Sequence, residues 1–122
     1  MKYAIIADIH GNLEAFQTVL DDIKSQNATH VVCLGDIVGY NANPKECLQI
    51  VRAMNIPVVK GNHDEYCSID DALEGFNPHA AEAVIWTRNQ LSAEERQWLR
   101  DLKYSRMVGN FTIVHATLDA PE

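Results

Sequence analysis

The stretch KYAIIADIHGNLEAFQTVL, residues 2–20, decides the fold class of this chain. Residues 2–7 are nearly all apolar, as expected for a strand that is buried on both faces of a parallel sheet. Asn12 is a good helix N-cap, and apolar residues recur after it at helical spacing. We therefore predict a strand over 2–7 that is followed directly by an amphipathic helix over 13–25.

The same alternation of strand and helix continues along the chain. Strand, helix, strand, helix, strand is the pattern of right-handed parallel crossovers, which favours an α/β class. At 122 residues there is room for a single domain, 1–122. The further predicted elements are a strand at 31–34, a helix that begins with Asn43-Pro44, a strand at 56–59, a loop or short helix at 65–76, a helix at 78–89, a helix capped by Ser92 and Glu95 that reaches 103, and a hairpin of 104–108 and 111–115.

The charge of the chain limits its partners. Seventeen acidic residues against ten basic ones give a formal net charge of −7. This argues against non-specific binding to a nucleic-acid backbone, which needs a basic face. It fits a protein that holds cations among carboxylates, although an ordinary acidic surface explains most of these residues equally well.

The cysteines and the hydropathy pattern indicate a compartment. Cys33, Cys47 and Cys67 include no close pair, so no disulfide framework is indicated and a reducing cytoplasm is expected. Cys33 and Cys47 are expected to be small core residues, and Cys67 is expected to be core or loop filler, with a place near the site as the alternative. The N-terminus has no signal-peptide pattern and no segment is long enough to span a bilayer, so secretion and membrane insertion are disfavoured.

Polar residues that can bind metals follow four of the apolar stretches. They are Asp8-Ile9-His10, Gly35-Asp36, Gly-Asn-His-Asp at 61–64, and His115. Ligands of parallel α/β sheets bind in the crevice at the carboxyl ends of the strands. Four such ends are expected to converge on one site whose oxygen and nitrogen donors suit one or two divalent cations and a phosphate.

Each of the first two motifs has a structural alternative. Asp8 and His10 are two apart on extended backbone, so both side chains can point to one ion; otherwise Asp8 caps a helix and His10 lies on the surface. Asp36 has two carboxylate oxygens, lies between Gly35 and Gly39, and can bridge two cations; its alternative is an ordinary turn with an N-capping Asp.

The later two motifs complete the predicted site. Asn62 offers a neutral oxygen ligand, His63 a cation or proton donor beside the metals, and Asp64 an acceptor that could fix the tautomer of His63. The alternative is a polar turn. A lone histidine such as His115 after an apolar strand is more often a core or edge residue, but beside the other three motifs we expect it to be a ligand.

The set of motifs resembles the calcineurin-like metallophosphoesterase superfamily, in particular its small bacterial and archaeal phosphodiesterase branch. Asp-x-His, Gly-Asp-x-x-Gly at 35–39, Gly-Asn-His-Asp at 61–64 and a later His occur here in the order of that family. The resemblance implies a metallophosphoesterase-type α/β/β/α sandwich. Asn41 stands where many relatives have glycine, and it is expected to tolerate a left-handed turn.

The resemblance also implies a division of roles. Asp8 and His10 would hold the first of two divalent ions, Asp36 would bridge both, and Asn62 and His115 would hold the second. His63, steadied by Asp64, would stabilise or protonate the departing oxygen. The implied function is hydrolysis of a phosphodiester or phosphomonoester, a small phosphate-ester substrate, by a metal-bridging hydroxide. The ions could be Mn, Fe, Zn, Ni or Co, with Mn favoured.

One family motif, Gly-His-x-His, is absent, and it carries two further metal ligands in relatives. The expected explanation is that the chain is the N-terminal portion of a longer protein, incomplete at the C-terminus; a natural short form or a site completed by a neighbouring chain are the alternatives. Exposed apolar surface would then favour a homo-oligomer. The alternative function is a catalytically weak or inactive scaffold with this fold. A dinucleotide-binding domain is disfavoured, since no Gly-x-Gly-x-x-Gly follows the first strand.

Overall fold

A computed structural model describes residues 1–117 of the chain, and the remainder of the predicted domain, 118–122, lies outside the described residues. The described part is a succession of short strands and helices. In chain order they are β1 (Tyr3–Ile6), α1 (Leu13–Ser25), β2 (His30–Cys33), α2 (Pro44–Met54), α3 (Asn62–Ser68), α4 (Pro78–Gln90), α5 (Ala93–Asp101), β3 (Ser105–Val108) and β4 (Phe111–Val114).

Local capping signals explain where the helices begin. The Asn12 side chain accepts a hydrogen bond from the backbone N–H of Ala15 at 3.1 Å, as expected of an N-cap. At α5, Ser92 and Glu95 each accept a hydrogen bond from the backbone N–H of the other, at 3.1 and 2.8 Å. Both helix starts confirm the sequence prediction, because they depend on residues within one turn of the cap.

The first two strands form a parallel pair in which Tyr3 lies beside His30 and Ile6 beside Cys33. The predicted third strand over 56–59 is wrong in extent. Only isolated parallel bridges occur there, from Val58 to Cys33 and from Val59 to Lys103.

Backbone hydrogen bonds show why this third segment is short. Cys33 donates to the carbonyl of Pro57 at 2.9 Å and accepts from Val59 at 3.1 Å, whereas Lys60 already donates to Lys103 at 2.7 Å. The segment passes from one neighbouring chain segment to the other within a few residues, and Pro57 has no N–H to donate. A longer ladder therefore cannot form.

Side chains of β2 alternate between two cores. Cys33 belongs to a core that all the helices share, whereas Val32 packs with Ile113 and Val59 on the opposite face. The hairpin of β3 and β4 covers that second face, and the ring of Tyr3 meets Phe111 edge-on at 5.1 Å. Helices, the parallel sheet and the hairpin thus form three successive layers, which correspond to the α/β/β part of the predicted α/β/β/α sandwich.

Two further expectations concern the burial of the cysteines and the absence of a membrane-spanning segment. Cys33, Cys47 and Cys67 are free and fully buried. Burial raises the pKa of the Cys33 and Cys67 thiols to about 12 and that of Cys47 to about 11. Among the helices of residues 1–117, none is long and apolar enough to cross a bilayer.

Candidate metal centre

Asp8 and His10 follow β1 in a loop that is held against the end of β2. Asp8 donates its backbone N–H to the carbonyl of Gly35 at 3.0 Å, and His10 donates to that of Asp36 at 2.9 Å. His10 Nε2 lies 3.7 Å from Asp8 Oδ1, so the two side chains are close enough to face one ion, and their assignment as ligands stays a prediction. The predicted extended backbone is wrong, because both residues are left-handed, with φ of 57° and 50°.

Asp36 is the centre of the arrangement, and its side chain is only 5% exposed. Its Oδ1 accepts a hydrogen bond from the backbone N–H of His63 at 2.9 Å. Its Oδ2 lies 3.6 Å from Nε2 of His10 and 3.2 Å from Nε2 of His115. One carboxylate oxygen thus faces two imidazoles from opposite ends of the chain.

Both imidazoles are oriented by backbone carbonyls. His10 Nδ1 lies 3.2 Å from the carbonyl oxygen of Val38, and His115 Nδ1 lies 2.8 Å from that of Leu34. Because a carbonyl only accepts, each Nδ1 is the donor in its bond, and this leaves each Nε2 facing Asp36. This is how metal-binding histidines are usually fixed.

The donor set suits a divalent cation. One ligand atom each from Asp8, His10 and Asp36 lie within 4.8 Å of one another, close enough to surround one ion. Carboxylate and imidazole donors together suit transition metals and zinc. Nε2 of His115 lies 3.2 Å from Asp36 Oδ2, next to this group, and its assignment as a ligand stays a prediction.

Two glycines make room for the carboxylate. A β carbon on Gly61 would lie 2.2 Å from Oδ1 of Asp36, far inside contact distance. A β carbon on Gly35, at φ 96°, would lie 2.4 Å from the backbone nitrogen of Gly61. The glycines therefore let two loops meet directly behind Asp36.

The Gly-Asn-His-Asp motif begins a helix instead of forming a loop. Asn62 is the first residue of α3, with Gly61 as its N-cap. The neighbouring backbone N–H of His63 binds Asp36, so this end of α3 lies at the centre. The assignment of Asn62 as a metal ligand stays a prediction.

The side chain of His63 lies beside the centre. Its ring stands perpendicular to that of His10, with centroids 5.0 Å apart. Among residues 1–117, its buried Nδ1 has no hydrogen-bond partner. Burial lowers the pKa of this imidazole, and the charge of Asp36 opposes that effect.

The structure contradicts the prediction that Asp64 accepts a hydrogen bond from His63. Its side chain is fully buried and accepts hydrogen bonds from backbone N–H groups of Gly61 and Asp36 at 2.9 and 2.8 Å, and of Ile37 at 2.9 Å. It does not bind Nδ1 of His63 as expected. Burial raises the pKa of this carboxyl group to about 6, while the backbone donors favour its charged form. Asp64 therefore ties the 35–39 loop to α3, and any effect on His63 is indirect.

Sequence reasoning assigned no role to Tyr40. Its ring lies 4.6 Å from that of His63 and 5.1 Å from that of His10, between centroids. Tyr40 is also the left-handed residue of this turn, with φ 68°, a conformation that the sequence had suggested for Asn41. Asn41 instead donates its N–H to the carbonyl of His10 at 3.1 Å. The available signal was a large aromatic residue directly after Gly39.

Comparison with known proteins agrees with this geometry. The sequence profile of the calcineurin-like phosphoesterases matches residues 1–119. The chain belongs to the calcineurin-like phosphoesterase family. This family is metal-dependent, and the Asp8, His10 and Asp36 group is suited to that property.

Individual relatives are similar over most of this chain. The crystal structure of a metallophosphoesterase from Sphaerobacter thermophilus is 41% identical with a TM-score of 0.82, over 99% of this chain and 49% of that one. An uncharacterized protein of Methanocaldococcus jannaschii is 44% identical, over 81% of this chain and 41% of that one. A symmetrical bis(5'-nucleosyl)-tetraphosphatase of Glaesserella parasuis is 30% identical, over 95% of this chain and 44% of that one. The chain therefore spans about half the length of the relatives that it matches.

Proposed function

We propose that this chain carries part of the active centre of a metal-dependent enzyme that hydrolyses a phosphodiester or phosphomonoester. The observation that carries the proposal is the position of Asp36 Oδ2 between the Nε2 atoms of His10 and His115. Burying a carboxylate between two oriented imidazoles has little value for packing, whereas the same arrangement would provide ligands for two cations. The relatives that are named as tetraphosphatases also support phosphoester hydrolysis.

The ligands divide into two groups around one carboxylate. Asp8, His10 and Asp36 would hold one ion, and Asp36, Asn62 and His115 the other. Divalent cations at such a site supply Lewis-acid stabilisation of the phosphoryl oxygens and a water of lowered pKa. A donor set that mixes carboxylate, amide and imidazole accepts Mn, Fe, Zn, Ni or Co, and we favour Mn as the ion for the test.

The remaining residues position the substrate and its leaving group. The ring of His63 contacts that of His10, so its imidazole would be placed to donate a hydrogen bond or a proton to the departing oxygen. Asp64 holds α3, and with it His63, against the loop that carries Asp36. A small phosphate ester is the proposed substrate, and three free, buried cysteines support a reducing cytoplasm as the location.

The test is release of p-nitrophenol from bis- and mono-p-nitrophenyl phosphate with added Mn²⁺. His63→Gln should lower kcat by roughly 10²–10⁴-fold, the range for a general acid, while Mn²⁺ affinity stays at the wild-type level. His30→Gln is the matched control, because His30 lies at the opposite end of β2. A gene product of full length that is inactive with every one of the five metals would contradict the proposal.

Calorimetry separates the enzyme from the alternative, a scaffold with the same fold. The proposed centre requires divalent binding that is lost in a His115→Gln variant. Absence of divalent binding by the wild-type chain would favour the scaffold.

A further inference from the structure

An open groove of about 310 Å³ adjoins the metal centre. Its walls are Tyr40 and one face of α4. The α4 residues are spaced i, i+3, i+4 and i+7, so they form a single stripe along the helix. They are His79, Glu82, Ala83 and Trp86.

Tyr40 is the wall that the groove and the metal centre share. One side of its ring contacts the imidazoles of His63 and His10. The residue is nevertheless 58% exposed, and Trp86 is 41% exposed. Two large aromatic side chains thus remain open to solvent within one groove, and one of them, Tyr40, contacts the candidate metal ligand His10.

The backbone of Tyr40 supports a specific role. Its φ of 68° is uncommon for a bulky residue, and such conformations cluster at functional sites. The turn is fixed from both sides, since Gly39 packs against His63 and Asn41 donates to the carbonyl of His10. The position of the aromatic ring is therefore set by the same loop that supplies Asp36.

We propose that this groove binds an aromatic ring of the ester, a nucleobase, while the phosphate lies at the metal centre. The proposal rests on the proposed function and names its substrate class as nucleotide esters. Aromatic side chains are the usual stacking partners of bases. Glu82 can accept a hydrogen bond from an exocyclic amine of the base, and its charge disfavours a second phosphate in the groove.

The volume agrees with this occupant. Ligand pockets span roughly 300–1,000 Å³, and the groove is at the lower end of that range. It is therefore large enough for one ring system. The phosphate of the same ligand would have to extend past Tyr40 to the carboxylates.

The test compares adenosine 5'-monophosphate with ribose 5-phosphate, which has the same phosphate and sugar but no base. Equilibrium dialysis of the chain with Mn²⁺ measures both affinities. We expect the nucleotide to bind about tenfold more tightly, as for one base stacked on an aromatic side chain. Equal affinities, or no binding of the nucleotide, would overturn the proposal.

Variants of the groove residues test whether a preference for the nucleotide over ribose 5-phosphate arises in the groove. Trp86→Leu and Tyr40→Leu should each bring the affinity ratio close to one, while Tyr40→Phe, which keeps the ring, should restore it. Ile85→Ala is the control, since Ile85 is half-exposed on α4 but does not line the groove. A preference that survives Trp86→Leu and Tyr40→Leu would also overturn the proposal.

The result is distinguishable from failure of the proposed function. If the protein hydrolyses p-nitrophenyl esters but shows no base preference, the proposed enzyme function stands and the proposal of a base site in the groove fails. If a base preference depends on Trp86 but no ester is hydrolysed, the base site in the groove is supported and the proposed enzyme function fails.

Discussion

Nε2 of His115 lies 3.2 Å from Oδ2 of Asp36, while Oδ1 of the same carboxylate accepts the backbone N–H of His63 at 2.9 Å. The two carboxylate oxygens of Asp36 thus make different contacts. Oδ1 fixes the start of α3, and Oδ2 faces the imidazoles. Removing the charge of Asp36 should therefore affect metal binding much more than folding.

Asp36→Asn should reduce Mn²⁺ affinity by more than about 100-fold, the upper end of the loss seen for groups that only support a ligand. The amide oxygen of the variant can still accept the N–H of His63, so the fold should persist. Isothermal titration calorimetry measures the affinity, and circular dichroism the fold. Asp21→Asn, on the exposed side of α1, is the control. Wild-type affinity in the Asp36 variant would contradict the shared-ligand arrangement.

Asp64→Asn should lower the free energy of unfolding, by at least about 2 kcal/mol. An amide NH₂ in place of Oδ2 would face the backbone N–H groups of Asp36 and Gly61, and each buried donor left without an acceptor costs about 1–3 kcal/mol. Urea denaturation measures the change, with the exposed Asp71→Asn as control. Unchanged stability together with lost activity would instead return Asp64 to the role of orienting His63.

Gly61→Ala should disrupt the metal centre by steric overlap. The backbone of Gly61 has an ordinary φ of −90°, so the added β carbon is the only new strain, and it would meet Asp36 Oδ1 at 2.2 Å. Overpacking of this kind costs about 1–3 kcal/mol, and Asp36 must move. Mn²⁺ affinity and the melting temperature should both fall.

Gly109→Ala is the counterpart to that variant. At φ 59° it costs about 1–2 kcal/mol of backbone strain, but a β carbon there meets no atom within 4 Å among the described residues. It should therefore lose some stability and keep its Mn²⁺ affinity. Equal loss of metal binding in both variants would show that the Gly61 effect is not local.

The three cysteines should resist alkylation in the native protein. The thiolate is the reactive form, and burial raises the pKa of Cys33 and Cys67 to about 12 and that of Cys47 to about 11. A raised pKa means less thiolate at pH 8, so iodoacetamide should react more than about 100-fold more slowly than in urea. Mass spectrometry follows the modification. Rapid labelling of any of the three without denaturant would contradict their burial.

Self-association should depend on strand β1, which has an exposed apolar side chain and an open edge. Ile5 is 61% exposed, and in residues 1–117 strand β1 pairs only with β2, which leaves its other edge open. We expect the wild-type chain to form a homo-oligomer in sedimentation experiments. The Ile5→Lys variant should be closer to a monomer. Ile85→Lys, on the far helix α4, should not. A monomeric wild-type chain would contradict this expectation.

Much of the fold follows from local sequence signals. The helix caps at Asn12 and Ser92 form as predicted, because each involves residues within one turn. The hairpin of β3 and β4 also forms as predicted around Gly109-Asn110. The predicted strand at 56–59 fails, since pairing with Cys33 on one side and Lys103 on the other is decided by distant partners.

The sequence by itself determined the kinds of ligand and the order in which they occur. Asp8, His10 and Asp36 could be named as candidates from the strand ends, because parallel strands bring those ends to one edge. His115 follows β4 of the antiparallel hairpin, so its position beside Asp36 has a different origin from the one that the sequence suggested. The left-handed backbone at Asp8 and His10 could not be read from the pattern, which had suggested extended chain.

Only the tertiary structure decided how the polar groups divide between holding the fold and facing the site. Asp64 and His63 are neighbours in the chain, yet one is buried among backbone N–H groups and the other lies open beside His10. The tertiary structure likewise placed Tyr40 between the imidazoles and the stripe of α4. The physical reason is that hydrogen-bond partners and ring contacts from distant segments, which a residue's own neighbours in sequence do not specify, determine what each side chain is free to do.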